Sequence, residues 1–256
     1  MTRLVFAGDR AGLPAPAPSE APGNRRRSRA DVLADPRVRL GAGTAAMLVT
    51  ALAVRRNRVS PAEVKAFRAV NGLPDSIELP AWAIMQLGTL GAAPSAAGAA
   101  WLAGDRELAS RLLFGGAGTW ALAKLVKQVV RRPRPGTLVP GIRCRGRQAT
   151  GLGYLSGHAG VAAALAAAAV PRLGPPGRAI ALTAIPVVGL TRVYVGAHLP
   201  LDIAGGTALG VAVDAAVTLV SAAARHRRDD HPRPHFHLGR LLMPARGCTV
   251  RLADRR

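Results

Sequence analysis

The chain has 256 residues and a formal net charge of +21; 49% of it is hydrophobic and only 4% aromatic. Its apolar mass is Ala, Val, Leu and Gly, which suits helices packed closely in lipid better than a soluble core. So high a charge first suggests a nucleic-acid binder. Its placement tells against one, because the basic residues divide between two aqueous compartments and are not interleaved with aromatics. Arg outnumbers Lys by 32 to 3, a bias that reflects GC-rich coding as much as function.

Residues 1–39 are Pro/Ala-rich and then basic, without the apolar stretch of a cleavable signal. They read as a disordered cytoplasmic segment. A bilayer is crossed by about 20 apolar helical residues. Six candidate spans follow, at 40–54, 79–103, 112–130, 158–173, 179–195 and 200–224. The second holds Pro94 and several glycines, so a kink or break is expected there. The expected fold is all-α, a six-helix transmembrane bundle over 40–224, followed by a basic cytoplasmic tail at 225–256.

With the N-terminus inside, the cytoplasmic segments hold 21 Lys and Arg and the outer loops 11. That excess favours both termini in the cytoplasm. Six of the outer residues crowd into loop 131–153: Arg131, Arg132, Arg134, Arg143, Arg145 and Arg147. A buried or interfacial anion site accounts for them better than topology does. Cys144 and Cys248 fall on opposite sides of the membrane, and neither a disulfide framework nor a zinc motif follows.

Charged residues near membrane helices are functional candidates because each is costly unless paired. "KLVKQVVRRPRP" closes the third span. Lys127 and Arg134 there suit a phosphate clamp, a point charge beside a bidentate fork; Lys124 reads as a snorkeller. "LSGHAG" opens the fourth span. Ser156 and Gly157 stand where backbone N–H groups and the helix dipole favour an anion, or where Ser156 simply caps the helix. His158 follows in the first turn. "TRVYVGAHLPLD" joins the last two spans. It places Arg192 at one helix end and His198 after a tight turn, with Asp202 positioned to reach back and fix the His198 tautomer. Asp214, deeper in the sixth span, reads as a hydrogen bonder between helices, outside the site. The tail histidines, His226, His231, His235 and His237, read as solvated.

The topology brings the three groups to one membrane face. Three cations, a helix N-terminus, two imidazoles and a carboxylate suit phosphoryl transfer through a phosphohistidine. One His attacks phosphorus and the other protonates the leaving oxygen.

These residues carry a resemblance. Lys127, six residues, then Arg134-Pro135; Leu155-Ser156-Gly157-His158; and Thr191-Arg192, five residues, His198, three residues, Asp202 are similar to the three motifs of the type 2 phosphatidic acid phosphatase (PAP2) superfamily. Its members are integral-membrane lipid phosphatases related to vanadium haloperoxidases. The resemblance implies His198 as nucleophile, Asp202 as its orienting partner and His158 as general acid and then base. It implies Lys127, Arg134, Arg192, Ser156 and the Gly157 N–H as phosphate ligands, with no metal and no cofactor. Leu155 stands where the family has Pro, and Thr191 where it has Ser.

The resulting expectation is a lipid phosphate or diphosphate phosphatase at the outer face of a bacterial cytoplasmic membrane. Its substrate would be a polyprenyl diphosphate, phosphatidic acid or phosphatidylglycerol phosphate. A phosphotransferase using the same phosphohistidine and a degenerate lipid-phosphate binder are the alternatives. No nucleic-acid or protein partner is indicated.

Overall fold

The computed structural model describes residues 29–146 and 150–230. These form ten α-helices and no strand: α1 (Arg29–Ala34), α2 (Pro36–Val54), α3 (Pro61–Asn71), α4 (Glu78–Met85), α5 (Ala92–Leu102), α6 (Arg106–Val130), α7 (Pro135–Leu138), α8 (Gly157–Ala169), α9 (Pro175–Tyr194) and α10 (Pro200–Asp230). Residues 1–28 and 231–256, with Cys248 and three of the tail histidines, lie outside the described part. The boundary expected at residue 40 falls inside α2, and that expected at 224 falls inside α10.

Local chemistry sets the helix starts. Asp35 caps α2 by accepting the Arg37 N–H at 2.8 Å, with Pro36 in the first turn. Ser60 caps α3 in the same way, accepting the Glu63 N–H at 3.1 Å ahead of Pro61. Asp105 accepts from Leu108 to open α6. The expected span 79–103 is broken: α4 ends in the 3-10 turn Gln86–Gly88, and a new helix begins at Ala92. Pro94 lies in the first turn of α5, where its missing N–H costs no helical bond. The break therefore falls before Pro94, in the Gly-containing turn.

Helix α8 is the hub of the bundle and touches α5, α6, α9 and α10. Ala159, Val161, Ala163, Ala164 and Ala168 on it are fully shut off from solvent. A helix apolar on every side must be enclosed by others, and alanine lets them come close. Helices α8 and α10 approach backbone to backbone. A Cβ on Gly206 would collide with the Ser156 carbonyl, and one on Gly210 with the Gly160 carbonyl.

The outer surface is apolar. Leu48, Val49 and Leu52 on α2, Phe114, Leu125 and Val129 on α6, Ile180 on α9 and Val220 on α10 are all exposed. On α6 the inward face is instead small, with Gly115, Gly116, Thr119 and Ala123 buried. Two helices, Pro36–Val54 and Pro200–Arg227, are long and apolar enough by length and composition to cross a membrane.

Candidate active site

Four helix ends meet at one end of the bundle: the C-termini of α6 and α9 and the N-termini of α8 and α10. Each carries one or more of the expected residues. Lys127 lies in the last turn of α6, which stops where Arg131 turns left-handed at φ 53°. Lys127 Nζ donates to the carbonyls of Leu152 (3.2 Å) and Gly153 (3.1 Å). Arg134 immediately precedes α7. Its Nε and Nη2 donate to the Thr150 carbonyl at 3.1 and 3.0 Å, and Nη1 donates to that of Ala197 at 2.8 Å.

Ser156 is buried and caps α8, accepting the Ala159 N–H at 3.3 Å. Its own N–H donates to the Asp202 carbonyl at 2.9 Å, which fixes the start of α8 to the start of α10. Leu155, just before it, packs with Val54, Ala123, Tyr154, Leu209 and Val213. This apolar anchorage holds the loop although the position lacks a proline ring. His158, in the first turn of α8, is half-buried, and the fields of Arg192, Lys127 and Arg134 all reach its ring.

Arg192 ends α9 and is mostly buried; its Nη1 contacts the Met85 sulfur and its Nε has no partner. Gly196, at φ +77°, makes the tight turn that follows, and a Cβ there would strike the Arg143 carbonyl. The turn delivers His198 back against Arg192, whose carbonyl accepts the His198 N–H at 3.2 Å. Thr191 turns its hydroxyl to the Val188 carbonyl of its own helix, at 2.8 Å.

The His198 ring has two distinct edges. Nε2 faces the cations, 3.5 Å from Arg134 Nη1. Nδ1 faces Asp202, 3.7 Å from Oδ2, longer than a hydrogen bond but within ion-pair range. Burial lowers the ring to about 3; the charges of Lys127 and Arg192 add to this, and Asp202 opposes it. Burial also lowers Arg134 from its ordinary value.

Two residues of this centre were not assigned to it in the sequence: Glu63, and Arg132, which was noted only among the six arginines of an expected anion site and binds carboxylates instead. Arg132, wholly buried, donates to Asp202 Oδ1 at 2.7 Å and holds Glu63 through contacts of 2.9 and 3.2 Å. Burial works against the Arg132 charge, but the hydrogen bonds and fields of Glu63 and Asp202 outweigh it and raise its pKa. Glu63 lies on α3, in a stretch read only as a loop. The available signal was Ser60-Pro61-Ala62-Glu63, a capping-box sequence.

The arginine-rich loop has mixed duties, and among its described arginines only Arg134 contacts His198. Arg145 binds the carbonyls of Asn71, Leu73 and Tyr194 and the carboxylate of Asp75 while stacking on the Tyr194 ring at 4.0 Å. It fastens α3 and the loops to the end of α9. Arg147 lies outside the described residues. Lys124 sits over the Trp120 ring at 3.6 Å. Asp214 is ion-paired with Arg39 at 2.9 Å and Arg111 at 2.8 Å, where the sequence suggested only a hydrogen bonder. Both partners are distant along the chain, so local reading could not find them. Cys144 is a free, exposed thiol. Among the described residues no three His, Cys, Asp or Glu side chains gather as metal ligands would.

A cavity borders the centre, and a second flanks α8. The first, about 830 Å³, includes Glu78, Trp82, Met85, Arg134, Thr137 and Arg192 in its wall. The other, about 580 Å³ and mostly apolar, is lined by residues such as Leu87, Ala96, Leu112, Ala162, Leu165 and Ala166.

Residues 108–226 match the model of the PAP2 superfamily. Over 119 residues the chain is 34% identical to decaprenylphosphoryl-5-phosphoribose phosphatase of Mycobacterium tuberculosis, in two strains, covering 45% of this chain and 64% of the relative. The chain thus spans just under two thirds of the length of the curated relatives it matches. Among solved structures it is similar to LpxE of Aquifex aeolicus, with a TM-score of 0.56 at 18% identity, covering 61% of this chain and 94% of that one. It is also similar to the transmembrane PAP2 type phosphatidylglycerolphosphate phosphatase of Bacillus subtilis, with a TM-score of 0.56 at 19% identity, covering 72% and 96%. At these identities the two structures establish the fold.

Proposed function

We propose that this chain, which belongs to the PAP2 superfamily through residues 108–226, is a metal-independent lipid phosphatase that works through a phosphohistidine on His198. One observation carries the reading. Lys127, Arg134 and Arg192 face His198 and His158, and none of the three pairs with a carboxylate among the described residues. Their partners are backbone carbonyls and a thioether. Cations gathered without counter-charge are a site for an anion.

In this mechanism Nε2 of His198 attacks phosphorus. A P–N bond forms, the P–O bond to the leaving alcohol breaks, and His158 gives its proton to the departing oxygen. His158 then takes a proton from water, the water oxygen attacks phosphorus, and the P–N bond breaks to release phosphate. Asp202 faces Nδ1 and stabilises the positive ring. Lys127, Arg134 and Arg192 hold the equatorial oxygens, with Ser156 and the Gly157 N–H at the helix terminus beside them. A phosphotransferase would share every step except the identity of the final acceptor.

The substrate is a phosphate carried on a long apolar chain, with a polyprenyl carrier the first candidate. The apolar groove runs along α8 at Ala162 and Ala166, starting one turn beyond His158, and past Leu87 and Thr89, which flank the glycine packed against the His158 backbone. It takes the chain. The more polar cavity beside Arg134 and Arg192 leaves room for a polar group next to the phosphate. The exposed apolar exterior is the lipid-facing surface. The α4–α5 pair, α6, α8 and α9 complete six crossings with α2 and α10. The basic bias of the flanks supports a site on the outer face with both termini in the cytoplasm.

The test is phosphate release by purified protein in detergent with EDTA present. Polyprenyl diphosphate, phosphatidic acid and phosphatidylglycerol phosphate are compared beside His198→Ala. Turnover that survives EDTA and is lost in the variant supports the reading; unchanged turnover in the variant overturns it. Binding without turnover on every lipid would favour the degenerate binder.

A further inference from the structure

Behind His198, on the side away from the three cations, lies a chain of buried charges. Asp202 is clamped at both oxygens: Oδ2 accepts the Leu199 N–H at 2.8 Å and Oδ1 accepts Arg132 Nη1 at 2.7 Å. Arg132 is in turn held by Glu63, whose Oε1 also accepts the Leu201 N–H at 3.1 Å. The first turn of α10, which carries Asp202, is thus tied to α3. Side-chain exposures along the chain are 3% for His198, 0% for Asp202, 0% for Arg132 and 4% for Glu63.

The charges follow an order. An arginine in contact with Asp202 cancels the negative charge that should face the His198 ring. Such a pair on its own would be neutral, and it would stabilise a positively charged phosphohistidine poorly. Glu63 restores the balance, because Asp202, Arg132 and Glu63 together carry one net negative charge. Burial keeps solvent from screening that charge.

We infer that Glu63 and Arg132 are positioning residues for the reaction: Arg132 aims Asp202 at His198 Nδ1, and Glu63 keeps the assembly behind the nucleophile net negative. Neither touches the substrate or the reacting atoms. The inference rests on His198 being the nucleophile, as proposed above.

The experiment compares wild type, Glu63→Gln and Glu63→Gln/Arg132→Gln as purified full chains in detergent. The substrate is dioctanoyl phosphatidic acid, and the inhibitors are inorganic phosphate and orthovanadate. Glu63→Gln keeps an acceptor for Leu201 but leaves Asp202 and Arg132 neutral together. Its kcat should fall about 10- to 100-fold, the range seen when partners behind an active imidazole are lost, with KM and phosphate inhibition within about twofold of wild type. Orthovanadate, which resembles the transition state, should weaken in step with kcat. The double variant restores one net negative charge and should turn over faster than the single.

Wild-type kcat in Glu63→Gln overturns the inference. So does an equal loss of kcat, phosphate binding and thermal stability, which assigns Glu63 to the fold alone. So does a double variant no faster than the single. If the single variant does not accumulate, the double decides: kcat within about tenfold of wild type supports the charge balance, and a larger loss overturns it. Absence of wild-type turnover combined with normal phosphate binding would instead count against the proposed activity itself.

Discussion

Arg134 Nη1 stands 3.5 Å from Nε2 of His198. Arginine can only donate, so at this contact Nε2 is the acceptor and carries no proton. In the proposed reaction the same guanidinium turns to the phosphate, which releases the Nε2 lone pair for attack.

The first consequence concerns protonation. His198 is lowered to about 3, chiefly by burial and also by Lys127 and Arg192. A lowered value means that the ring stays neutral as pH falls through the ordinary histidine range and takes a proton only well below it. In nitrogen-15 histidine spectra, with His198 assigned by His198→Asn, its signals should remain those of a neutral ring at pH 5. Titration of that ring near pH 6.5 would contradict the geometry.

Removing the Arg134 side chain should weaken phosphate more than it disturbs the fold, since its present partners are carbonyls of Thr150 and Ala197. Charge-assisted bonds contribute about 1.5–3 kcal/mol each. Arg134→Ala should therefore raise the phosphate inhibition constant at least about tenfold, and Arg134→Lys should recover only part of it, because the fork is lost. Competitive inhibition by inorganic phosphate measures this.

The α8–α10 contact leaves no room for a side chain at Gly210, where backbone and not a movable side chain would be struck. Gly210→Val should destabilise the bundle by about 2 kcal/mol or more, seen as a lower midpoint of thermal unfolding in detergent. Gly98→Ala, at a position with open space around it, is the control and should change little.

Midway along α10, Asp214 lies about 18 Å along the helix from Asp202 at 1.5 Å per residue. Its one carboxylate is shared by Arg39 and Arg111, one on each oxygen. Asp214→Leu strands two arginines and should cost about 3 kcal/mol in stability. Turnover per folded molecule should be kept, which would separate this node from the reaction centre. Unfolding and kcat measured on one preparation test both halves.

The apolar groove gives a chain-length test. Ala166→Phe fills it from α8, two turns beyond His158. Turnover of a long-chain lipid phosphate should fall, while that of a short, water-soluble phosphate ester should hold. Equal loss on both substrates would remove the groove from the substrate path.

The candidate site residues could be picked out in the sequence because their spacing is local. Lys127 to Arg134 spans a helix end and its loop, Ser156 to His158 a single turn, and Arg192 to Asp202 one tight connection. The helix termini that hold them were legible for the same reason, through Ser156, Pro200 and the apolar runs. Contacts between distant parts of the chain were not. Glu63 meets Arg132 across 69 residues, and Asp214 meets Arg39 across 175. No periodicity reports such pairings, and Arg132 was hidden among five other arginines with different duties. The break before α5 was expected from Pro94 and the glycines together; it falls at the turn containing Gly88, and Pro94 lies inside the first turn of α5.

The central claim is a covalent bond between phosphorus and His198. Rapid acid-free quenching of the protein with a lipid phosphate labelled at the scissile phosphorus tests it most directly, comparing wild type, His158→Ala and His198→Ala. The account expects a label that is stable to base and labile to acid, located on His198, increased in His158→Ala because its release slows, and absent from His198→Ala. Steady turnover with no label on His198 in any preparation would contradict it.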